Sequence, residues 1–280
     1  MLQEQASLTA LGAARLRAAH QTLERGRIFS DPLAVRVLGS EAEPLDSVEE
    51  NDPARRRLRL FIAARTRFAE DALAASISRG LRQVVILGAG LDTYAYRSPL
   101  VDRLRIFEVD HPATQAWKRR RLAEVAISVP DTLTFAPIDF EHETLADGLA
   151  AVGLRSNERT FFTWLGVVPY LTDEAITATV GFVAGLQGGA QIVFDYVTAA
   201  TDGAGREGQA AHEALSARVA SAGEPFRSAL DPARLRTQLR GVGFRSVEDV
   251  AGGDLVARYL PGRTAAGRAS TAHVVSAAAE

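Results

Sequence analysis

QVVILGAGLDTYAYR, residues 83–97, is a short apolar run that stops at a glycine turn. Val84, Val85, Ile86 and Leu87 show no polar alternation, the pattern of a strand buried on both faces of a parallel sheet. Gly88, Ala89 and Gly90 follow at once. Glycine lets the backbone turn tightly and come close to a ligand, and in a doubly wound fold this turn faces the binding crevice. A dinucleotide fingerprint needs a third glycine at position 93 for close packing of helix on strand; the chain has Thr93 there, after Asp92. Two glycines alone are a weak signal.

Beyond the turn, apolar runs alternate with helical patterns, the signature of a parallel sheet covered on both faces. Strands are predicted at Val84–Leu87, Arg105–Val109, Thr134–Pro137, Thr160–Leu165 and Gln191–Tyr196. Arg245–Val250 and His273–Ala277 add two more as an antiparallel edge. Before the turn the pattern is helical. Leu8, Leu11, Leu16 and Leu23 recur at helical spacing, Asp31-Pro32 opens a second helix, and a third runs over Ala54–Ser78. The acidic stretch Glu41–Pro53 and the Ala- and Gly-rich stretch Pro261–Ala272 read as loops. The expectation is an α/β, doubly wound, mostly parallel seven-stranded sheet in one domain. Residues 1–80 form a helical cap, 81–197 with 231–280 the core, and 198–230 a lid or substrate insertion.

The 280 residues are 47% hydrophobic and 24% charged, as in an ordinary soluble globular protein, and suffice for a substantial core. A formal net charge of −2 gives no strong field toward nucleic acid or an acidic membrane. The absence of cysteine excludes disulfides, thiolate metal sites and a cysteine nucleophile, and it fits a reducing cytoplasm. No long apolar run marks a signal peptide or a membrane span. His20, His111, His142, His212 and His273 are scattered without metal-ligand spacing, so no metal is expected. The basic runs Arg55–Arg57 and Lys118–Arg121 lack interleaved aromatics, which argues against nucleic acid, and the triplet Arg55–Arg57 reads as a solvated basic face.

Three strand ends carry candidate ligands. RIFEVDHP ends in Asp110, where an acidic side chain accepts hydrogen bonds from ribose hydroxyls; the competing reading makes Asp110 a helix cap. Glu108 shares its face, but Asp110 is nearer the carboxyl end where ligands bind. At the third strand end, Asp139 suits an exocyclic amine and Phe140 an aromatic ring, although Asp139 also suits a turn. The fourth, FFTWLGVVPYLTDEA, brings Trp164, Leu165 and Tyr170; the aromatic face of Tyr170 suits a neighbouring cation, and its competing reading is a core aromatic. Arg65 and Arg67 sit in an apolar context, FIAARTRFAEDAL, so one of them is a candidate for turning inward to an anion. Together these describe a nucleoside bound without a pyrophosphate. S-adenosylmethionine meets that description, since its amino-acid tail offers a carboxylate to an arginine.

LGAGLDTYAYR, FEVDHP, WKRRRL, PIDF and LGVVPYLT together resemble the leucine carboxyl methyltransferase family, in its bacterial S-adenosylmethionine-dependent branch, from about Leu8 to Tyr196. The resemblance implies a class I methyltransferase-like Rossmann fold. It implies that Gly88, Ala89 and Gly90 lie under the cofactor, that Asp110 with His111 beside it holds the ribose, and that Asp139 and Phe140 hold the adenine. Arg65 matches the family arginine on the methionine carboxylate, and Arg17 in RLRAAH a second basic residue at that end. Leu165 stands where family members often have a glutamate, and Thr163 is the candidate to replace its contact.

The implied activity is an O-methyltransferase acting on a carboxylate or hydroxyl of a small molecule, such as a natural product, in the cytoplasm, with no nucleic-acid or membrane partner. A carboxylate, ionised at neutral pH, needs no general base, whereas a hydroxyl needs one within reach, for which His212 is the candidate. His212 is otherwise a surface residue of the lid. Two rivals stand beside this reading: an NAD-dependent oxidoreductase, opposed by Thr93, and a cofactor-binding protein without turnover, which Leu165 keeps open. The oligomeric state is not legible.

Overall fold

The computed structural model describes residues 8–41, 52–140, 142–199, 213, 216–217, 220, 223–261 and 271–279. Seven strands form one sheet: β1 (Gln83–Leu87), β2 (Arg105–Asp110), β3 (Leu133–Pro137), β4 (Thr160–Trp164), β5 (Ala190–Val197), β6 (Ser246–Ala251) and β7 (Ala272–Ala279). Their order is β3-β2-β1-β4-β5-β7-β6, with β1 to β5 parallel and β7 antiparallel to both neighbours. The strand order reverses beside β1, so the turn after β1 opens on the crevice where ligands bind in such sheets. Every residue of β1 is buried, because helices cover both faces.

One face carries α1 (Leu8–Leu23), α2 (Pro53–Ser78), the short α3 (Tyr94–Arg97), α4 (Pro112–Glu124) and α8 (Gly252–Tyr259); the other carries α5 (Leu145–Ala151), α6 (Asp173–Ala184) and α7 (Pro232–Gly241). Strand alternation divides the core accordingly. Val84, Ile86, Ile106 and Phe161 pack against Phe68, Leu73 and Ile77 of α2. Val85, Phe107, Phe162 and Phe194 pack against Ile176 and Val180 of α6 and Leu239 of α7. The longest helix, α2, starts where Asp52 accepts from Ala54 N–H at 2.8 Å with Pro53 behind it, a preorganised N-terminus.

The strands fall within two residues of their expected bounds, and β6 and β7 form the antiparallel edge. One expectation is corrected. Asp31-Pro32 opens turns followed by a 3-10 helix at Arg36–Glu41, not a second α-helix. Asp31 is drawn into the interior by Thr93, and Gly39, at φ 55°, breaks helical geometry within the segment. The loop expected at 41–53 and that at 261–272 lie largely outside the described residues, as does most of the proposed insertion 198–230.

Candidate functional site

Three strand ends meet at the crevice. Gly88 and Gly90 adopt left-handed backbone, φ 62° and 40°, which glycine reaches without strain. Gly88 also lies against Val167, where a Cβ would collide with the valine side chain; a Cβ at Gly90 would stand 3.2 Å from Ala10 of α1. Ala89 N–H donates to Val109 C=O at 3.0 Å, tying the turn to β2. Asp110 then reaches back: one carboxylate oxygen accepts from Gly90 N–H at 2.6 Å and the other from His111 N–H at 2.7 Å. Burial pushes the Asp110 carboxyl up, and these two backbone donors oppose the shift. The helix cap considered for Asp110 belongs to His111, whose ring accepts from Ala113 N–H at 3.2 Å.

Asp110 pairs in register with Pro137, which puts Asp139 and Phe140 just beyond the neighbouring strand end. The Asp139 carbonyl accepts from His142 and Glu143 N–H groups, and its carboxylate lies 3.9 Å from His142 Nε2. Phe140 is 61% exposed, so its ring is open to an incoming planar group.

A second cluster stands on the other side of the glycine turn. Arg65, buried on α2, pairs through Nη1 with Asp195 of β5. The other Asp195 oxygen accepts from Gly166 N–H at 2.6 Å in the loop after β4. Arg65 Nε is buried and makes no hydrogen bond. Tyr170 belongs to the same cluster, its ring 5.5 Å from that of Phe226. Burial pushes its hydroxyl up to about 12, a shift that the nearby Arg65 opposes and Asp195 and Glu224 reinforce. Thr163 is half-buried and lines a cavity of about 20 Å³ with Thr66, Glu70, Asp92 and Tyr94. Leu165 lines it too and presents no polar atom where the family glutamate was expected.

Arg17 sits against the turn from above. Its Nη2 donates to Leu91 C=O at 2.5 Å, and its Nε lies 3.3 Å from Asp31. Asp31, buried, also accepts from Thr93 Oγ1 at 2.7 Å and lies 3.6 Å from Arg97. This explains Thr93: its hydroxyl fastens the helical cap to the crevice, where a glycine would leave Asp31 short of a partner. His212 lies outside the described residues. Asp195 and Asp31 were missed in the sequence. An acidic residue inside the apolar run QIVFDYV was the signal for Asp195, since a carboxylate in a buried strand requires a partner.

Glu108 belongs to the core. It receives Lys118 Nζ at 2.7 Å and Tyr96 Oη at 3.1 Å, fully buried. Three of the four residues of the basic run Lys118–Arg121 are accordingly engaged within the fold: besides Lys118, Arg119 lies over Phe135 at 5.0 Å and Arg121 over Trp117 at 5.4 Å. Among the described residues, no cluster of three or more His, Asp or Glu could hold a metal, and no helix is long and apolar enough to cross a membrane.

A parallel sheet that reverses beside β1, a glycine turn held by a carboxylate at the end of β2, and an antiparallel edge define a class I methyltransferase-like fold. Solved structures agree. A DUF574 family protein of Streptomyces avermitilis superposes with TM-score 0.53 at 17% identity, covering 95% of this chain and 96% of its own. Magnesium protoporphyrin IX methyltransferase of Synechocystis, crystallised with S-adenosylhomocysteine, gives 0.50 at 13%, covering 95% and 98%. In sequence, the leucine carboxyl methyltransferase family model matches residues 10–184. A Bacillus subtilis protein provisionally named S-adenosyl-L-methionine-dependent methyltransferase YktD is 32% identical over 91% of each chain. A counterpart of the same provisional name from Mycolicibacterium gilvum is 31% identical over 80% of this chain and 73% of its own. The chain belongs to the leucine carboxyl methyltransferase family: it is a methyltransferase, and its cofactor is S-adenosyl-L-methionine.

Proposed function

We propose that the chain methylates an oxygen of a small molecule, a carboxylate in the first instance. S-adenosyl-L-methionine, when bound, supplies an electrophilic methyl group on a sulfonium sulfur. The residues present fit this cofactor, since Arg65 Nε is buried without an acceptor and a ligand carboxylate is the group that completes it. On this reading Asp110 receives the ribose hydroxyls with His111 beside it, Gly88 to Gly90 line the floor, and Asp139 and Phe140 take the base. Arg65 faces the methionine end, with Thr163 and Arg17 nearby. The protein's share of the chemistry is then alignment and exclusion of water.

The observation that carries the choice of acceptor is Tyr170. A tyrosine hydroxyl already keeps its proton at neutral pH and burial pushes this one further up, to about 12, so on this reading Tyr170, near Arg65 and Asp195, would donate a hydrogen bond to the acceptor and not serve as a base. A carboxylate acceptor, with an ordinary pKa of about 4, needs no base. Under the hydroxyl alternative the base is His212. Incubation with S-adenosyl-L-methionine and matched panels of carboxylic acids and alcohols, followed by mass spectrometry, separates the two. Methyl esters support the carboxylate, methyl ethers the hydroxyl, and N- or C-methyl products alone contradict both. S-adenosylhomocysteine release with neither panel leaves the binding-protein rival.

A further inference from the structure

We infer that Asp195 is a positioning residue of the cofactor site: acting through Arg65, it completes a guanidinium–carboxylate receptor for the zwitterionic amino-acid head of the cofactor. The inference rests on the proposed placement of that head at Arg65 and adds a residue to it.

The pair is fixed from several directions. Asp195 is 4% exposed and divides its two oxygens between Arg65 Nη1 and Gly166 N–H. Gly166, at φ 74°, lets the loop backbone close on the guanidinium; a Cβ there would stand 2.9 Å from Arg65 Nη2. The Phe61 ring lies 5.9 Å from the guanidinium carbon. Arg65 therefore has little freedom to choose its direction, and its buried Nε makes no hydrogen bond. A buried donor left unmade costs free energy until an acceptor arrives. A carboxylate suits a guanidinium edge, and the ammonium on the same carbon suits the remaining lone pairs of Asp195. Leu165, in the same loop, offers nothing polar, so the negative member of the receptor has to come from another strand. Loss of the Asp195 charge leaves one neutral oxygen to serve both Gly166 and Arg65, and either the loop or the guanidinium loses its direction.

Isothermal titration of the full chain with S-adenosylhomocysteine and with 5′-methylthioadenosine tests this, because the second ligand keeps the nucleoside and sulfur but lacks the amino-acid head. Asp195→Asn is expected to weaken S-adenosylhomocysteine by about tenfold, the scale of one charge-assisted hydrogen bond, and to leave 5′-methylthioadenosine within about twofold. Asp195→Glu, which keeps the charge and displaces it by one methylene, is expected to show the same ligand selectivity with a smaller loss, and it carries the test where the asparagine variant does not fold. Equal losses for both ligands would reduce Asp195 to a packing role, and unchanged or tighter S-adenosylhomocysteine binding would remove it from the site. If the wild-type chain binds 5′-methylthioadenosine as tightly as S-adenosylhomocysteine, the placement of the head at Arg65 fails first, and the role of Asp195 with it.

Discussion

On the proposed reading, Tyr170 sets the proton chemistry of the site. Its hydroxyl, held up to about 12 by burial, stays protonated, so Tyr170→Phe is expected to lower kcat by about tenfold, the loss of one donor, without moving the pH profile. An ionisation limb near pH 10, the ordinary tyrosine value, that vanishes in the phenylalanine variant would contradict the assignment. Asp110 was marked as a candidate by its strand end together with the glycine turn, against a competing helix cap that the fold gives to His111. Asp195 was not, since its partner Arg65 lies 130 positions earlier in the chain and no local pattern joins them. Arg17 was singled out by resemblance. What it holds, Asp31 and the Leu91 carbonyl, only the fold reveals.

At the scale of elements, the helical cap is joined to the core by buried charge. Asp31 gathers Thr93, Arg17 and Arg97, and removing one partner of such a group leaves the others buried and unpaired. Asp31→Ala is expected to cost ~3–5 kcal/mol in urea unfolding, against less than about 1 kcal/mol for an exposed pair such as Arg67–Asp71. Within the cap, Glu24 ties the end of α1 to α2: it accepts from Arg59 at 2.8 Å and lies 3.1 Å from His20. Burial opposes its charge, but the hydrogen bonds and charges of Arg59 and His20 win and bring its carboxyl from 4.5 down to about 2. A carboxyl depressed in the folded state stabilises it fully above pH 4.5 and loses that contribution as the pH falls toward 2. The Tm of the wild type should therefore fall more steeply than that of Glu24→Gln across this window; parallel curves would contradict the pairing. The sequence showed α2 by its cap and spacing. It misplaced the helix at Asp31-Pro32 because the winning interaction, Asp31 with Thr93, is tertiary.

For the whole molecule, the doubly wound sheet was readable because β-branched and aliphatic runs of strand length alternate with helical patterns, and burial on both faces leaves such runs without polar alternation. The division of the core between the sheet's two faces follows from that alternation once the strand order is known, and the order itself is not written locally. The central claim is that the crevice beside β1 holds the nucleoside of S-adenosyl-L-methionine through Asp110. Isothermal titration with S-adenosylhomocysteine, on the wild type and on Asp110→Ala, tests it most directly. The account predicts binding by the wild type and a loss of at least about a hundredfold in the variant, two hydrogen bonds to a charged group, with the circular dichroism spectrum preserved. Unchanged affinity in a folded Asp110→Ala chain, or binding of NAD in place of S-adenosylhomocysteine by the wild type, would contradict it.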